Sequence, residues 1–307
     1  MIPDRPFLGI LLMLGFCILA PLGDALAKVL GGSVALGLLV TTRFAVQATV
    51  LAPIVALGQF PLRMTRRVAI LMIVRTGLHI LGIGTMFMAL RFLPLADAIA
   101  IAFVMPFVML LLGKTILGES VGWHRLAACA VGFAGTLLVV QPNFATVGAP
   151  ALLPLAVAVI FALFMLVTRT VARQISPVAL QFVSGIVASA VLVPAMIFAP
   201  LWHGFAPFEL PTPKQIYLLL LMGAVGTVAH LLMTWSLRFA PSATLAPMQY
   251  LEIPVATLFG WLIFRDLPNG LAAVGIVITV AAGLYVIWRA RPQEGRAPLR
   301  PAPPAAE

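Results

Sequence analysis

The sequence predicts an all-α integral membrane protein: ten transmembrane helices arranged as two inverted five-helix repeats. Three observations predict it. The chain is a succession of apolar runs of membrane length, its Lys and Arg residues are distributed unequally between alternate connections, and a motif recurs 147 residues further on. Of the 307 residues, 62% are hydrophobic and 9% charged, and the mean hydropathy is +1.12. A water-soluble domain is nearer half apolar and a quarter charged.

The apolar runs fall at 7–29, 34–57, 68–90, 95–117, 123–141, 151–172, 177–199, 214–237, 241–264 and 270–288. Each is close to the roughly 20 residues that cross a hydrocarbon core of about 30 Å as a helix. The first run lacks a small-x-small cleavage site and reads as a spanning helix, not a signal peptide. Residues 1–141 form the first five-helix half and 151–288 the second. Residues 289–307, rich in Pro, Ala and Arg, have little to bury and read as a disordered cytoplasmic tail.

With ten spans, Arg5, Arg63, Arg66, Arg67, Lys114, Arg125, Arg169, Arg173, Arg238, Arg289, Arg291, Arg296 and Arg300 share one side. Lys28, Arg91, Lys214 and Arg265 occupy the other. The positive-inside bias places both termini in the cytoplasm and supports the count of ten. It also accounts for the net charge of +10 without a nucleic-acid partner. Cys17 and Cys129 have no CxxC spacing and give no disulfide or metal pattern.

Leu90-Arg91-Phe92-Leu93-Pro94 recurs as Leu237-Arg238-Phe239-Ala240-Pro241. At the same offset Ala96 meets Ala243, Phe103 meets Tyr250, Gly113 meets Gly260 and Glu119 meets Asp266. Earlier helices align at an offset near 141, where Lys28 meets Arg169 and Pro53 meets Pro194. An odd number of helices per half sends the two halves into the membrane from opposite sides. That architecture belongs to secondary transporters with a site between the halves.

Charged groups at membrane depth need a partner, a wet cavity or a function. Asp24 and Lys28 lie one turn apart, as an interfacial ion pair or a gate at the outer mouth. Arg43 with Gln47, and Arg75 with His79, repeat that spacing. Both arginines require acceptors, and Asp24, Asp97 and Glu252 are the available carboxylates. They either hold the bundle by inter-helix ion pairs or face a polar substrate. Glu252 follows Gln249 and Tyr250 in a run interrupted by Pro247 and Pro254. Proline removes an N–H and clashes with the carbonyl four residues back, so this helix loosens near Tyr250. Freed carbonyls at that depth must face protein or a water-filled cavity. Pro106, after Phe103, is the counterpart break in the first half.

His79 and His230 read either as titratable groups or as satisfied packing residues. Phe103, Phe107, Trp235 and Tyr250 either stack on a flat ligand or pack the bundle. Gly132 with Gly135, and Gly223 with Gly226, allow close helix contact. The chain has no Walker loop, dinucleotide fingerprint, GxSxG elbow or paired-His metal motif, which speaks against an enzyme and against ATP-driven transport. Rings of like charge or carbonyl filters, which would indicate a passive channel, are not visible. A membrane scaffold would leave buried Arg43, Arg75 and Glu252 with no role beyond ion pairing.

Several stretches resemble the drug/metabolite transporter superfamily, in its ten-helix EamA-type branch. They are Asp24-Ala25-Leu26-Ala27-Lys28-Val29-Leu30-Gly31, Arg43-Phe44, and Arg75 before a Gly-rich stretch. Gly118-Glu119 with Trp123 and Arg125, Gly132-Phe133-Ala134-Gly135 and Tyr250-Leu251-Glu252 complete the match. Within the branch the chain looks most like bacterial S-adenosylmethionine uptake carriers and riboflavin importers. The resemblance implies a multi-pass protein of the bacterial inner membrane, monomeric or a homodimer, working without a cofactor by alternating access. The resemblance leaves import and export open; the leading expectation is uptake of a vitamin or nucleoside-like metabolite such as riboflavin or S-adenosylmethionine, with export of amino acids or other metabolites as the alternative. The expected substrate-binding set is Arg43, Arg75, His79, Phe103, Trp235, Gln249, Tyr250 and Glu252. Asp24, Lys28 and Asp97 are the expected gate or ion-pair residues.

Overall fold

A computed structural model of the protein describes residues 5–58, 60, 62–116, 123–198, 210–240 and 245–289. Glu119, Ala243 and the expected tail from residue 290 onward lie outside these. The described residues form helices without a strand. The first part of the chain contains α1 (Pro6–Gly31), α2 (Leu36–Leu57), α3 (Arg66–Ala89), α4 (Leu95–Ala102), α5 (Met105–Ile116) and α6 (Trp123–Val147). After a 3-10 turn at Ala149–Leu152 come α7 (Leu153–Ala172), α8 (Pro177–Phe198) and α9 (Pro213–Phe239). A 3-10 segment at Ala246–Leu251 leads into α10 (Glu252–Phe259), a π-helical turn at Gly260–Phe264 and α11 (Gly270–Arg289).

Among the described residues, seven helices are long and apolar enough to cross a membrane. They correspond to the expected first, second, third, fifth, sixth, seventh and eighth spans. The other three expected spans are represented by the shorter apolar segments Leu95–Met109, Met248–Phe264 and Gly270–Ala282. Two of the three contain the anticipated breaks. The chain turns at Phe103 and Val104 between α4 and α5, where Pro106 has no N–H to continue the ladder. The 3-10 segment Ala246–Leu251 contains Pro247, and α10, which contains Pro254, starts only at Glu252.

Local chemistry marks the helix starts. Thr65 caps α3 by accepting from the Val68 N–H. Thr212 and Gln215 form a reciprocal capping box at α9, with Pro213 following the cap. At the end of the π turn Arg265 adopts φ 60°, a left-handed conformation that stops the helix.

The bundle is held by pairing between early and late helices. α1 packs on α9, α2 on α8, α3 on α7, α6 on α11, and α4 on α10. A buried core of Leu39, Phe44, Leu95, Ile101, Ile253 and Ala272 fills the centre. Outward faces stay apolar, with Ile54, Ile73, Ile186, Ile197, Val274 and Val277 exposed. That inside-and-outside apolarity suits a lipid surround, where helix contact depends on close packing and not on the hydrophobic effect.

The α6–α11 contact shows the requirement for small residues. A Cβ on Gly275 would stand 2.4 Å from the Gly135 carbonyl oxygen, and one on Gly135 would stand 2.7 Å from the Gly275 oxygen. Thr279 Oγ1 donates at 2.8 Å to the Gly275 carbonyl and lies 3.2 Å from that of Gly132. Gly275→Val should therefore push the two helices apart and cost about 1–3 kcal/mol. Thermal unfolding in detergent will read this as a lowered midpoint.

Candidate functional site

A cavity of about 90 Å³ lies inside the bundle. Phe16, Ala20, Gly23 and Asp24 of α1 form one wall, and Ile83, Met86 and Phe87 of α3 another. Ile99, Ala102, Phe103 and Met105 come from the broken α4–α5 region, and Val157, Ala158, Phe161 and Met165 from α7. Met222, Gly226, Ala229 and His230 of α9 complete the apolar shell. Its polar groups are Asp24, Arg43, His230, Gln249 and Glu252.

Arg43 is held from behind. Its Nη1 donates to Gln47 Oε1 at 3.1 Å, one turn along α2. Gln47 Nε2 donates to the backbone oxygen of Gln181 at 2.6 Å and to its Oε1 at 3.1 Å. Gln181 Nε2 donates onward to Thr234 Oγ1 at 2.7 Å and to the His230 carbonyl at 2.8 Å. This relay joins α2, α8 and α9 and leaves Arg43 Nη2 buried without a protein partner. The guanidinium lies on Gly226, where a Cβ would come within 2.2 Å of Nε. Only a residue without a side chain lets the cation rest there. Asp24, across the cavity, is the carboxylate whose charge acts on Arg43.

The 3-10 segment and the start of α10 contribute Gln249 and Glu252 to the lining. Gln249 Nε2 lies 3.0 Å from Met165 Sδ, and its Oε1 is unpartnered. Glu252 is the first residue of α10, where the helix dipole favours a negative charge, and its Oε1 also has no partner. The cavity therefore carries both unpartnered donors, from α2 and α9, and unpartnered acceptors, from the 3-10 segment and α10. Phe16, Phe87, Phe103 and Phe161 offer apolar walls.

The structure divides the expected site residues. Asp24, Arg43, Phe103, Gln249 and Glu252 meet at the cavity. Arg75 and His79 stand behind it. Arg75 donates to Thr168 Oγ1 at 2.8 Å and Ser184 Oγ at 2.6 Å, and its guanidinium lies 4.6 Å from the Phe164 ring centroid. Hydroxyls and a ring thus take the place of the carboxylates expected from sequence. The His79 ring stacks on Phe164 at 4.5 Å and lies 4.4 Å from that of His230. Tyr250 packs on Phe103 at 5.5 Å, behind the cavity wall. Trp235 sits elsewhere, against the small cluster of Leu51, Val55, Val178 and Leu231.

Lys28 lies towards one mouth and donates at 2.5 Å to the Leu93 carbonyl rather than to Asp24. Asp97 is buried, and with Asp266 it acts electrostatically on Lys28. Sequence reasoning did not select Gln181, Phe161, Met165 or a cavity-lining role for Gly226 and His230. The Gly226–His230 spacing of one turn puts both on one face of α9, a signal that becomes informative only once Arg43 is known to lie against it. Among the described residues, no three His, Cys, Asp or Glu side chains form a metal-ligand group.

The model of the EamA-like transporter family matches residues 7–141 and 149–289, and the chain belongs to that family. A riboflavin transporter of Rhizobium johnstonii is 30% identical over 69% of this chain and 68% of its own. An S-adenosylmethionine uptake transporter of Rickettsia bellii is 26% identical over 86% of this chain and 88% of its own. A pseudopaline exporter of Pseudomonas aeruginosa is 26% identical over 69% and 72%. A solved crystal structure superposes with a TM-score of 0.71 over 93% of this chain and 97% of that one, at 22% identity, and so shares the fold.

The relay behind Arg43 gives a direct test. Gln181→Leu removes the side-chain acceptor of Gln47 and the donor to Thr234 and the His230 carbonyl, while the backbone acceptor at 181 stays, and should cost about 1–2 kcal/mol, as buried polar groups in a membrane do. A lowered unfolding midpoint, with a smaller loss in the Gln47→Leu/Gln181→Leu double variant than the sum of the singles, is the expected result.

Proposed function

We propose that this member of the EamA-like transporter family is a secondary carrier that moves a vitamin-like or nucleoside-like metabolite across the bacterial inner membrane by alternating access. In this reading residues 1–141 and 151–288 are two inverted five-helix repeats, giving ten spans with both termini in the cytoplasm. The packing of α1 on α9, α2 on α8, α3 on α7, α4 on α10 and α6 on α11 supports it. Exchanging the two repeats maps each of these contacts onto itself or onto another of the set.

The observation that supports the function best is the ring-lined cavity, with its unpartnered donors and acceptors, between the two groups of helices. Arg43 and His230 are suited to the acceptors of a cargo molecule, and Asp24, Gln249 and Glu252 to its donors. The phenylalanines are suited to a flat heterocycle. Arg75, His79 and Tyr250 support the wall. A pocket for a metabolite of this size holds roughly 300–1,000 Å³. At about 90 Å³ the cavity is contracted, so cargo enters only when the helix groups separate. Among the relatives are an uptake transporter and an exporter, and net flux measured under an imposed ion gradient separates the two directions.

Proteoliposomes containing the purified protein should show saturable counterflow of labelled riboflavin or S-adenosylmethionine. Glu252→Gln should lower that flux about tenfold or more, since a charge-assisted hydrogen bond contributes roughly 1.5–3 kcal/mol. Normal folding with unchanged flux of either compound would remove Glu252 from the site.

A further inference from the structure

Four cation-to-carbonyl contacts at the helix ends form two matching sets. In the first, Lys28 Nζ donates to the Leu93 carbonyl at 2.5 Å and Arg91 Nη2 to that of Val34 at 2.9 Å. In the second, Arg169 Nη1 donates to the Ala240 carbonyl, and Arg238 Nη1 approaches that of Ile175 at 3.5 Å. Lys28 and Arg169 are separated by 141 residues, as are Val34 and Ile175. Leu93 and Ala240 are separated by 147, as are Arg91 and Arg238. These are the two offsets that align the halves in sequence. Every donor and every acceptor of one set therefore has its counterpart in the other.

The two sets sit at opposite ends of the bundle. Arg169 binds the end of α9, on which the beginning of α1 is seated. There the Arg5 N–H donates to the Phe239 carbonyl at 2.8 Å and Ser236 Oγ donates to that of Gly9 at 2.6 Å. Lys28 lies near the other end of α1, about 30 Å from Gly9 at the helical rise. Each cation reaches the place where the two halves touch. Lys28 stands 5.3 Å from the Phe264 ring centroid, across the divide from Leu93. Arg169 takes a second carbonyl, Leu237, at 3.1 Å, and so fixes the helix end that holds α1.

Their surroundings differ although their sequence positions correspond. Arg169 is 8% exposed. Lys28 is half-buried beside a crevice of about 480 Å³ that Arg91, Ile263 and Phe264 also line. One end is sealed and the other is loose, as one stage of an alternating cycle requires.

We propose that Arg169 is the gate residue of the cytoplasmic mouth and the functional counterpart of Lys28 at the outer one. Each cation closes its own mouth by holding a helix-end carbonyl in place, and the two release in turn. This rests on the alternating-access reading above and not on the identity of the cargo.

The test uses the full chain with Cys17→Ser and Cys129→Ser, and with Ala229→Cys as a reporter in the cavity. A membrane-impermeant maleimide is applied to right-side-out and to inside-out vesicles. Arg169→Ala should raise the labelling rate from the cytoplasmic face, in inside-out vesicles, about three- to tenfold, the loosening expected from losing a buried membrane hydrogen bond or two. Lys28→Ala should raise it from the opposite face. Arg169→Gln, which keeps one donor for a carbonyl, should give a smaller rise on the same face as Arg169→Ala and provides the reading if the alanine variant misfolds. A parent protein that lets the impermeant maleimide itself pass through sealed vesicles, with the cavity open to both faces at once, would overturn alternating access and this assignment together. A parent labelled from one face at a time, with Arg169→Ala and Arg169→Gln leaving both rates unchanged, would overturn the assignment alone.

Discussion

Inside a bilayer no water is available to satisfy a polar group, so each one dictates where its neighbours stand. Arg43 is the case on which the centre of this bundle depends. A guanidinium has five donors and cannot be deprotonated to avoid the cost. One donor reaches Gln47, one turn away on the same helix. Gln47 must then find acceptors of its own and takes both the backbone and side-chain oxygens of Gln181. The Gln181 amide in turn reaches Thr234 and the His230 carbonyl on α9. A single cation thereby sets the approach of α2 to α8 and of α8 to α9. The demand is met up to Nη2, which remains buried with no protein partner beside the cavity. A bundle optimised for stability alone would have closed that last bond.

The second constraint comes from proline. Pro106 and Pro254 occur in the expected fourth and ninth spans, and the backbone departs from α-helical geometry just before each of them. In the second half the departure is a 3-10 segment that delivers Gln249, Tyr250 and Glu252 in quick succession. A 3-10 turn has three residues per turn instead of 3.6, so its side chains fan out differently from those of the helix that follows. Gln249 and Glu252, three residues apart, consequently face the same cavity. Tyr250 turns away to pack on Phe103. Glu252 is placed at the start of α10, where the backbone itself favours a carboxylate.

Much of this was legible beforehand, because membrane-spanning helices are governed by few rules. Run length, the placement of Lys and Arg and the position of prolines each report one physical requirement. Glu252, Arg43 and Asp24 stood out because charge at that depth is costly, and they do meet at the cavity. The partners of Arg75 were not legible. Thr168 and Ser184 are ordinary helical residues, and only the packing of α3 on α7 and α8 makes them acceptors. Trp235 looked like a stacking platform because an aromatic letter does not say which way its helix faces. The roles of Gly226 and His230 were hidden for the related reason that a cavity wall is made of what the helices leave uncovered. Small and apolar residues dominate such walls, and they are also the commonest residues in the chain.

The distribution of regular and irregular structure bears on how a carrier of this kind can move. The seven long helices keep α-helical geometry through most of their length even where Pro21, Pro53 and Pro194 each remove one N–H, and changing any of them means breaking hydrogen bonds that no solvent would replace. The interruptions at Phe103–Val104, Ala246–Leu251 and Gly260–Phe264 are already outside α-helical geometry, so a change of φ and ψ there sacrifices less. All three belong to the expected fourth and ninth spans, and α4 packs directly on α10. The same short elements supply Phe103, Gln249 and Glu252 to the cavity. In the proposed cycle, movement that admits cargo and movement that reshapes its surroundings are therefore one event. Cargo that contacts Gln249 and Glu252 more favourably in one arrangement than in the other would bias that event by the difference.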